Sequence, residues 1–167
     1  ARRDPALADL ATNSGYNYAV SKPGKDFYLE FYSPGFTCPE EERIGRLGDG
    51  GKWMCDPYRG WSRQFVNLST KPPVPPVLVY SIGSNNDWGF EDSVLADGRC
   101  PYCEIHTFDH TINANTQKPD VVNFHKIGLA AKDEAGKNLK TLPTLIKELG
   151  HENRRIEIFK IDCEGCE

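Results

Sequence analysis

The chain has 167 residues, 38% hydrophobic, 11% aromatic and 26% charged, with a formal net charge of -4. That length supports one domain with a proper core and leaves little room for two. Scattered basic residues under a net negative charge exclude a broad nucleic-acid footprint, which needs clustered Lys and Arg, and no apolar run approaches the roughly 18 residues of a membrane span.

The chain opens on Ala1-Arg2-Arg3-Asp4 without an initiator Met and ends directly after a predicted strand. It therefore reads as a piece of a longer protein, in which a signal or anchor segment can lie upstream. Cys38, Cys55, Cys100, Cys103, Cys163 and Cys166 make an even set, and Asn67-Leu68-Ser69 is a glycosylation sequon. Together they favour an oxidising compartment, Golgi or secreted, over the cytoplasm.

Residues 1–76 read as an irregular extension rich in Gly, Pro and aromatics, closing on Lys71-Pro72-Pro73-Val74-Pro75-Pro76, whose prolines exclude helix. Within it, Gly48-Asp49-Gly50-Gly51-Lys52-Trp53 invites a phosphate-loop reading, but position 46 is Arg and Lys52 is followed by Trp. The motif is left as a tight turn presenting Asp49 and Lys52, or as a lid over a ligand. Cys38 and Cys55 bracket it, and their disulfide would close a loop worth roughly 3 kcal/mol in the chain-entropy view.

From residue 77 the texture changes to a second unit, 77–167. Val77-Leu78-Val79-Tyr80-Ser81-Ile82-Gly83 predicts a buried first strand. Residues 88–98 predict a short helix stopped by Gly98. Cys103 to Asp109 predicts a second strand and Val121 to Ile127 a third, joined by residues 110–119 without helical pattern, near the lower limit for a parallel connection. Thr141 can cap a helix carrying Pro143 in its first turn and Leu142, Leu145, Ile146 and Leu149 on one face, with Gly150 as terminator. Residues 154–162 predict a fourth strand with Ile156, Ile158 and Ile161 apolar and Asp162 at its carboxyl end. Alternating strands and helices predict an α/β fold with a mostly parallel sheet.

In such sheets ligands sit outside the carboxyl ends of the strands. The first strand ends in Ser81, Gly83, Ser84 and Asn85, where a glycine admits a ligand to the backbone and small polar residues offer hydrogen bonds. The second ends in Asp109, the distance downstream at which an acid accepts ribose hydroxyls. The third runs into Gly128, Leu129 and Ala130, an apolar edge suited to an adenine. The fourth ends in Asp162, with Glu164 and Glu167 beside it. A dinucleotide site would show Gly-x-Gly-x-x-Gly, whereas this turn has a single early glycine, which favours a nucleoside ligand without pyrophosphate.

Residues 78–95, 103–109, 123–133, 140–151 and 154–167, in this order, resemble the S-adenosylmethionine-dependent methyltransferases of the methyltransferase-like protein 24 group, related to the FkbM-type enzymes. Residues 43–57 resemble the segment that precedes their core. The resemblance spans roughly residues 38–167. It implies a Rossmann-like class I methyltransferase fold of seven strands, of which strands five to seven would lie beyond residue 167. It implies that Gly83 and its neighbours Ser81, Ser84 and Asn85 hold the amino-acid end of S-adenosylmethionine and Asp109 its ribose, which leaves Gly128 and Leu129, from the strand-end reading, as the residues beside its base. By the same resemblance Asp162 and Glu164 lie next to the sulfonium and the acceptor, which is a small molecule, a glycan or a protein. Two positions depart from the pattern: Ser81 stands where such enzymes typically carry an acid, and Asp109-His110 where they typically carry Glu-Pro.

Transfer to a hydroxyl needs a base. Asp162 and Glu164 are the catalytic candidates, with Glu167, His110 and His125 behind them. Three other classes share the sequence. Cys100-Pro101-Tyr102-Cys103 suggests a thiol oxidoreductase, but that chemistry wants its first Cys at a helix start and Cys103 leads into a strand. The two C-x-x-C pairs suggest a four-thiolate zinc site, at a separation far beyond usual knuckle spacing. A non-catalytic nucleoside-binding or scaffold domain of the same fold is the third, and Ser81 favours it. No metal ligand set is assigned.

Overall fold

The computed structural model describes residues 2–3, 32–33, 38, 40–46, 50–55, 76–96, 100, 102–115, 117–163 and 166. Asp49, the Asn67 sequon, the proline run up to residue 75, Gly98, Glu164 and Glu167 lie outside them. A hairpin of β1 (Glu41–Ile44) and β2 (Lys52–Cys55) precedes β3 (Val77–Ile82), α1 (Gly89–Leu95), β4 (Cys103–Phe108) and β5 (Val122–His125). Then come β6 (Gly128–Leu129), a 3-10 turn at Ala135–Lys137, β7 (Leu139–Lys140), α2 (Leu142–Glu148) and β8 (Ile156–Ile161). Arg2–Arg3 and Tyr32–Ser33 form a further two-residue pairing.

The central sheet has the order β8-β3-β4-β5 with every neighbour parallel. In predicted strand numbers that is four-one-two-three, so the chain reverses its direction of travel across the sheet between β3 and β8, the switch point of a Rossmann-like layout. β3 is buried at all six positions because it is interior to the sheet and covered on both faces. Val77 and Val79 meet Trp88, Phe90 and Val94 on the α1 side, with Ile105, Ile158 and, from the hairpin, Ile44. Leu78, Tyr80 and Ile82 meet Leu145 and Phe108 on the α2 side.

β8 departs from strict alternation. Its register with β3 shifts between Ile156 and Ile158, a bulge that sends Ile156 to the α2 side and Ile158 to the α1 side. Beyond the bulge, Lys160 falls on the same face as Ile158, opposite Ser81.

The link between β4 and β5 is an irregular crossover, and side chains supply the hydrogen bonds a helix would have made. Asn115 Oδ1 accepts from Trp88 Nε1 at 2.9 Å and from Gln117 N at 3.1 Å, while Asn115 N donates to Asn86 Oδ1 at 2.9 Å. Lys118 Nζ donates to the carbonyls of Pro119 and Val122, each at 2.8 Å.

The third strand is shorter than expected. It stops at His125, and Gly128-Leu129 pairs instead with Leu139-Lys140 in a separate two-stranded unit. The predicted helix over residues 88–98 spans Gly89–Leu95 and leaves helical geometry at Ala96, before the glycine expected to end it. α2 matches its signals: the Thr141 side chain accepts from Thr144 N, Pro143 lies in the first turn, and Gly150 has φ +71°. No helix among the described residues is long and apolar enough to cross a membrane.

Candidate functional site

At the carboxyl end of β3 the chain turns through Gly83 at φ +79°, then Asn85 and Asn86 at +47° and +60°. A Cβ at Gly83 would collide with the Asp162 carbonyl oxygen, so the turn and the end of β8 touch backbone to backbone at the switch point. Asp162 N donates to Ile82 O at 2.8 Å and Gly83 N to Phe108 O at 2.8 Å, which ties the ends of β8, β3 and β4 together.

Asp109 underpins this turn. Its Oδ2 accepts from Ser84 N at 3.1 Å and Asn85 N at 2.9 Å, and its Oδ1 from Thr111 N at 2.9 Å and Thr111 Oγ1 at 2.6 Å. Burial alone would raise this carboxyl, but the bonds from Thr111, Asn85 and Ser84 outweigh it and hold Asp109 below the ordinary carboxylate range.

The hairpin reaches the same place. Lys52, at the start of β2, donates to Asp162 Oδ1 at 2.8 Å, and Lys160 lies 3.5 Å from Asp162 Oδ2. Asp162 is thus held between two ammoniums. Lys160 also donates to Gly83 O. Burial lowers the Lys160 ammonium, which Asp162 and Glu91 partly restore and Lys52 opposes. Cys38 and Cys55, at the base of the hairpin, lie at disulfide-bonding distance as expected.

Beneath the turn, on the α1 face, Lys160, Ser81 and Thr107 occupy one cross-strand row. Glu91 of α1, fully buried, covers it and accepts from Thr107 Oγ1 at 2.9 Å. Three buried oxygens here have no hydrogen-bond partner among the described residues: Ser81 Oγ, Ser84 Oγ and Glu91 Oε2. An open cleft of about 510 Å³ adjoins the turn, lined by Arg46, Asn85, Asn86, Asp87, Trp88, Gly89, Asp92 and Gln117. Arg46 pairs with Asp87 across its rim.

The structure therefore gathers Ser81, Gly83, Ser84, Asn85, Asp109 and Asp162 at one end of the sheet. Gly128 and Leu129 belong to the β6–β7 unit that follows β5: a Cβ at Gly128 would collide with Nδ1 of His110, the residue after Asp109, and Leu129 packs into the α2-side core that includes Phe108. Glu164 lies outside the described residues. Glu91 and Lys160 were not anticipated, and Lys52 was read as part of a turn or lid but not as the partner of Asp162. The first two could have been found by periodicity, since Glu91 stands three residues before buried Val94 and Lys160 two after buried Ile158. Lys52 carried no signal of its partner, because the ion pair spans 110 residues.

A second polar cluster lies on the α2 face. His106 Nε2 is 2.9 Å and His151 Nε2 3.2 Å from Glu104 Oε1, while Arg154 Nη1 donates to Glu104 Oε2 at 2.6 Å. His106 Nδ1 meets His125 Nε2 at 2.8 Å, and His151 Nδ1 meets the Tyr80 hydroxyl at 2.8 Å. Burial, with His106 and His151 nearby, pushes the His125 imidazole down to about 4. Burial pushes the Tyr80 hydroxyl up to about 12, against Arg154, which lowers it, and with Glu104, which raises it. The His125 ring thus faces this network, while its carbonyl accepts from Asp109 N at 3.0 Å at the strand ends.

The remaining cysteines also pair locally. Cys100 with Cys103 and Cys163 with Cys166 lie at disulfide-bonding distance. Cys103 opens β4 and Cys163 follows β8, so in a parallel sheet the two pairs sit at opposite ends, which separates them as ligands of one metal ion.

No curated protein and no solved structure matches the chain. A methyltransferase-domain family matches residues 7–167, nearly the whole length. With a parallel α/β sheet whose strand ends carry a glycine turn and flanking acids, the chain belongs to that methyltransferase-domain family.

Proposed function

We propose that the protein is an S-adenosylmethionine-dependent methyltransferase whose acceptor is an oxygen of a small molecule, a glycan or a protein. The observation that carries this reading is the convergence of Gly83, Ser84, Asp109 and Asp162 at the switch point of a chain in a methyltransferase family. The residues fit the cofactor. Ser84 Oγ and Ser81 Oγ are buried oxygens without a partner among the described residues, the condition in which a ligand's hydrogen bond gains most. Of the four donors on Asp109, the Thr111 hydroxyl is a free rotor that a ribose hydroxyl can replace without moving backbone. Glu91 Oε2, beneath the turn, supplies the buried carboxylate that Ser81 does not.

S-adenosylmethionine, when bound, supplies an electrophilic methyl carbon on a sulfonium. Every other contribution belongs to this chain. Gly83 brings backbone to the ligand, and Asp109 fixes the turn that does so. Lys52 and Lys160 orient Asp162 at the edge where an acceptor would approach. An acceptor hydroxyl surrendering its proton to Asp162 would weaken the Lys52 pair as the carboxylate lost its charge. In-line displacement needs position more than functional groups, which suits a site of turns and ion pairs. Paired cysteines and the sequon are consistent with action in an oxidising compartment.

Titration calorimetry with S-adenosylmethionine tests the reading. A one-to-one interaction weakened at least tenfold by Ser84→Ala supports it, and no heat at millimolar cofactor refutes it. The double clamp on Asp162 favours a second reading, a nucleoside-binding domain without transfer. Binding without methyl loss from the cofactor, in Lys52→Ala as in the unaltered chain, would select it.

A further inference from the structure

On the α2 face, three potential ligand atoms from two separate elements converge. Glu104 and His106 stand two apart on β4 and so share a face, and His151 arrives from the end of α2. His151 is fixed by its own backbone: its N–H donates to Ile146 O at 2.8 Å, and its carbonyl accepts from Arg154 N at 2.9 Å. Glu104 Oε1, His106 Nε2 and His151 Nε2 all lie within 4.8 Å of one another. Two of the separations are 2.9 and 3.2 Å, against about 3.3 Å between ligands on a tetrahedral ion with bonds near 2.0 Å. We propose that Glu104, His106 and His151 form a binding site for a divalent transition-metal ion of the zinc class.

The surroundings suit an ion as well as they suit its precursor. Without metal, both histidines donate from Nε2 to Glu104, and their Nδ1 atoms accept from His125 Nε2 and from the Tyr80 hydroxyl. With metal, each imidazole takes the other tautomer. His106 Nδ1–H then donates to His125 Nε2 and His151 Nδ1–H to the Tyr80 oxygen, so both metal-bound rings are oriented from behind. His125 moves its own proton from Nε2 to Nδ1 so that its Nε2 can accept, and no proton is lost from the three rings. Arg154 occupies Glu104 Oε2 and leaves Oε1 as the ligand oxygen, while Glu104, 28% exposed, gives the ion a route from solvent. Two imidazoles and a carboxylate leave a fourth position for water. The site lies on the face opposite the Lys160–Ser81–Thr107 row and is independent of the cofactor assignment.

The test uses the whole chain, stripped with chelator and titrated with Co(II) and Zn(II). One equivalent of Co(II) should bind with visible d–d absorption, Zn(II) should displace it, and His106→Gln and His151→Gln should each weaken binding at least tenfold. Cys100→Ser/Cys103→Ser should leave it unchanged. Nitrogen-detected imidazole NMR of the unaltered chain gives a readout that needs no variant: Zn(II) should move His106 and His151 from the Nε2–H to the Nδ1–H tautomer. No uptake by the folded chain, uptake unchanged by both histidine substitutions, or uptake without a tautomer change would each overturn the proposal.

Discussion

On the α1 face of the central sheet, Lys160, Ser81 and Thr107 lie in a row under Glu91, and Ser81 Oγ and Glu91 Oε2 are left without partners among the described residues. On the α2 face, Tyr80, His106, His125, His151, Glu104 and Arg154 form a chain of contacts in which each facing nitrogen and oxygen meets another. Both sets are polar clusters with buried members on one parallel sheet, but one is open and the other closed. An open cluster keeps the desolvation cost of its orphaned atoms until something binds, whereas a closed one stabilises the chain on its own. The difference separates a place kept for a ligand from a place that holds the fold and exchanges one set of bonds for another.

Substitutions can break that contrast, and the largest effect is expected at Glu91. Glu91→Ala strips Thr107 of its acceptor and Lys160 of a nearby carboxylate, so urea unfolding should show a loss of about 3 kcal/mol. A loss below about 1 kcal/mol would mean the row does not depend on its cover.

Asp109→Asn should cost about 2 kcal/mol at neutral pH, because the turn loses charge-assisted bonds. Its sign with pH follows from the depressed Asp109 carboxyl. The contribution is complete above the ordinary carboxylate range and fades as pH falls through the lower folded value, so the two proteins should converge in acid. A gap independent of pH would detach the turn from the charge on Asp109.

On the closed face, Tyr80→Phe removes the partner of His151 Nδ1 and should lower stability by about 1 kcal/mol, read by thermal unfolding of the chelator-treated protein. The smallest effect is expected at Ser81. Ser81→Ala deletes a hydroxyl that already lacks a partner, so ligand-free stability should move by less than about 0.5 kcal/mol. A large loss there would show that the open cluster is closed after all.

Strand positions were legible because β3, β4 and β8 each concentrate β-branched or aromatic residues between turn signals, and α2 carries cap, proline and glycine in order. The site was legible to the extent that strand ends in a parallel sheet must meet, which brought Gly83, Asp109 and Asp162 together. What could not be read has a common cause. The third strand stops at His125, short of Ile127, and Gly128 and Leu129 after it pair with Leu139 and Lys140, a pairing no local pattern announces. Ile156 and Ile158 stand two apart, the spacing of one face in a regular strand, and a single bulge divides them. The histidine cluster draws on residues 80, 104, 106, 125, 151 and 154, each unremarkable alone.

The pairing of β8 with β3 also sets an order of assembly. The contact between Lys160 and the Gly83 carbonyl joins residues 77 apart, and β3, β4 and β5 all leave the ribosome before β8, which forms the switch point with β3. A nascent chain can therefore build β3, β4 and β5 around one another while Gly83 still faces an unfilled edge. The contacts that β8 makes with the Gly83 turn then form in one step, when β8 docks, instead of accumulating as the chain emerges.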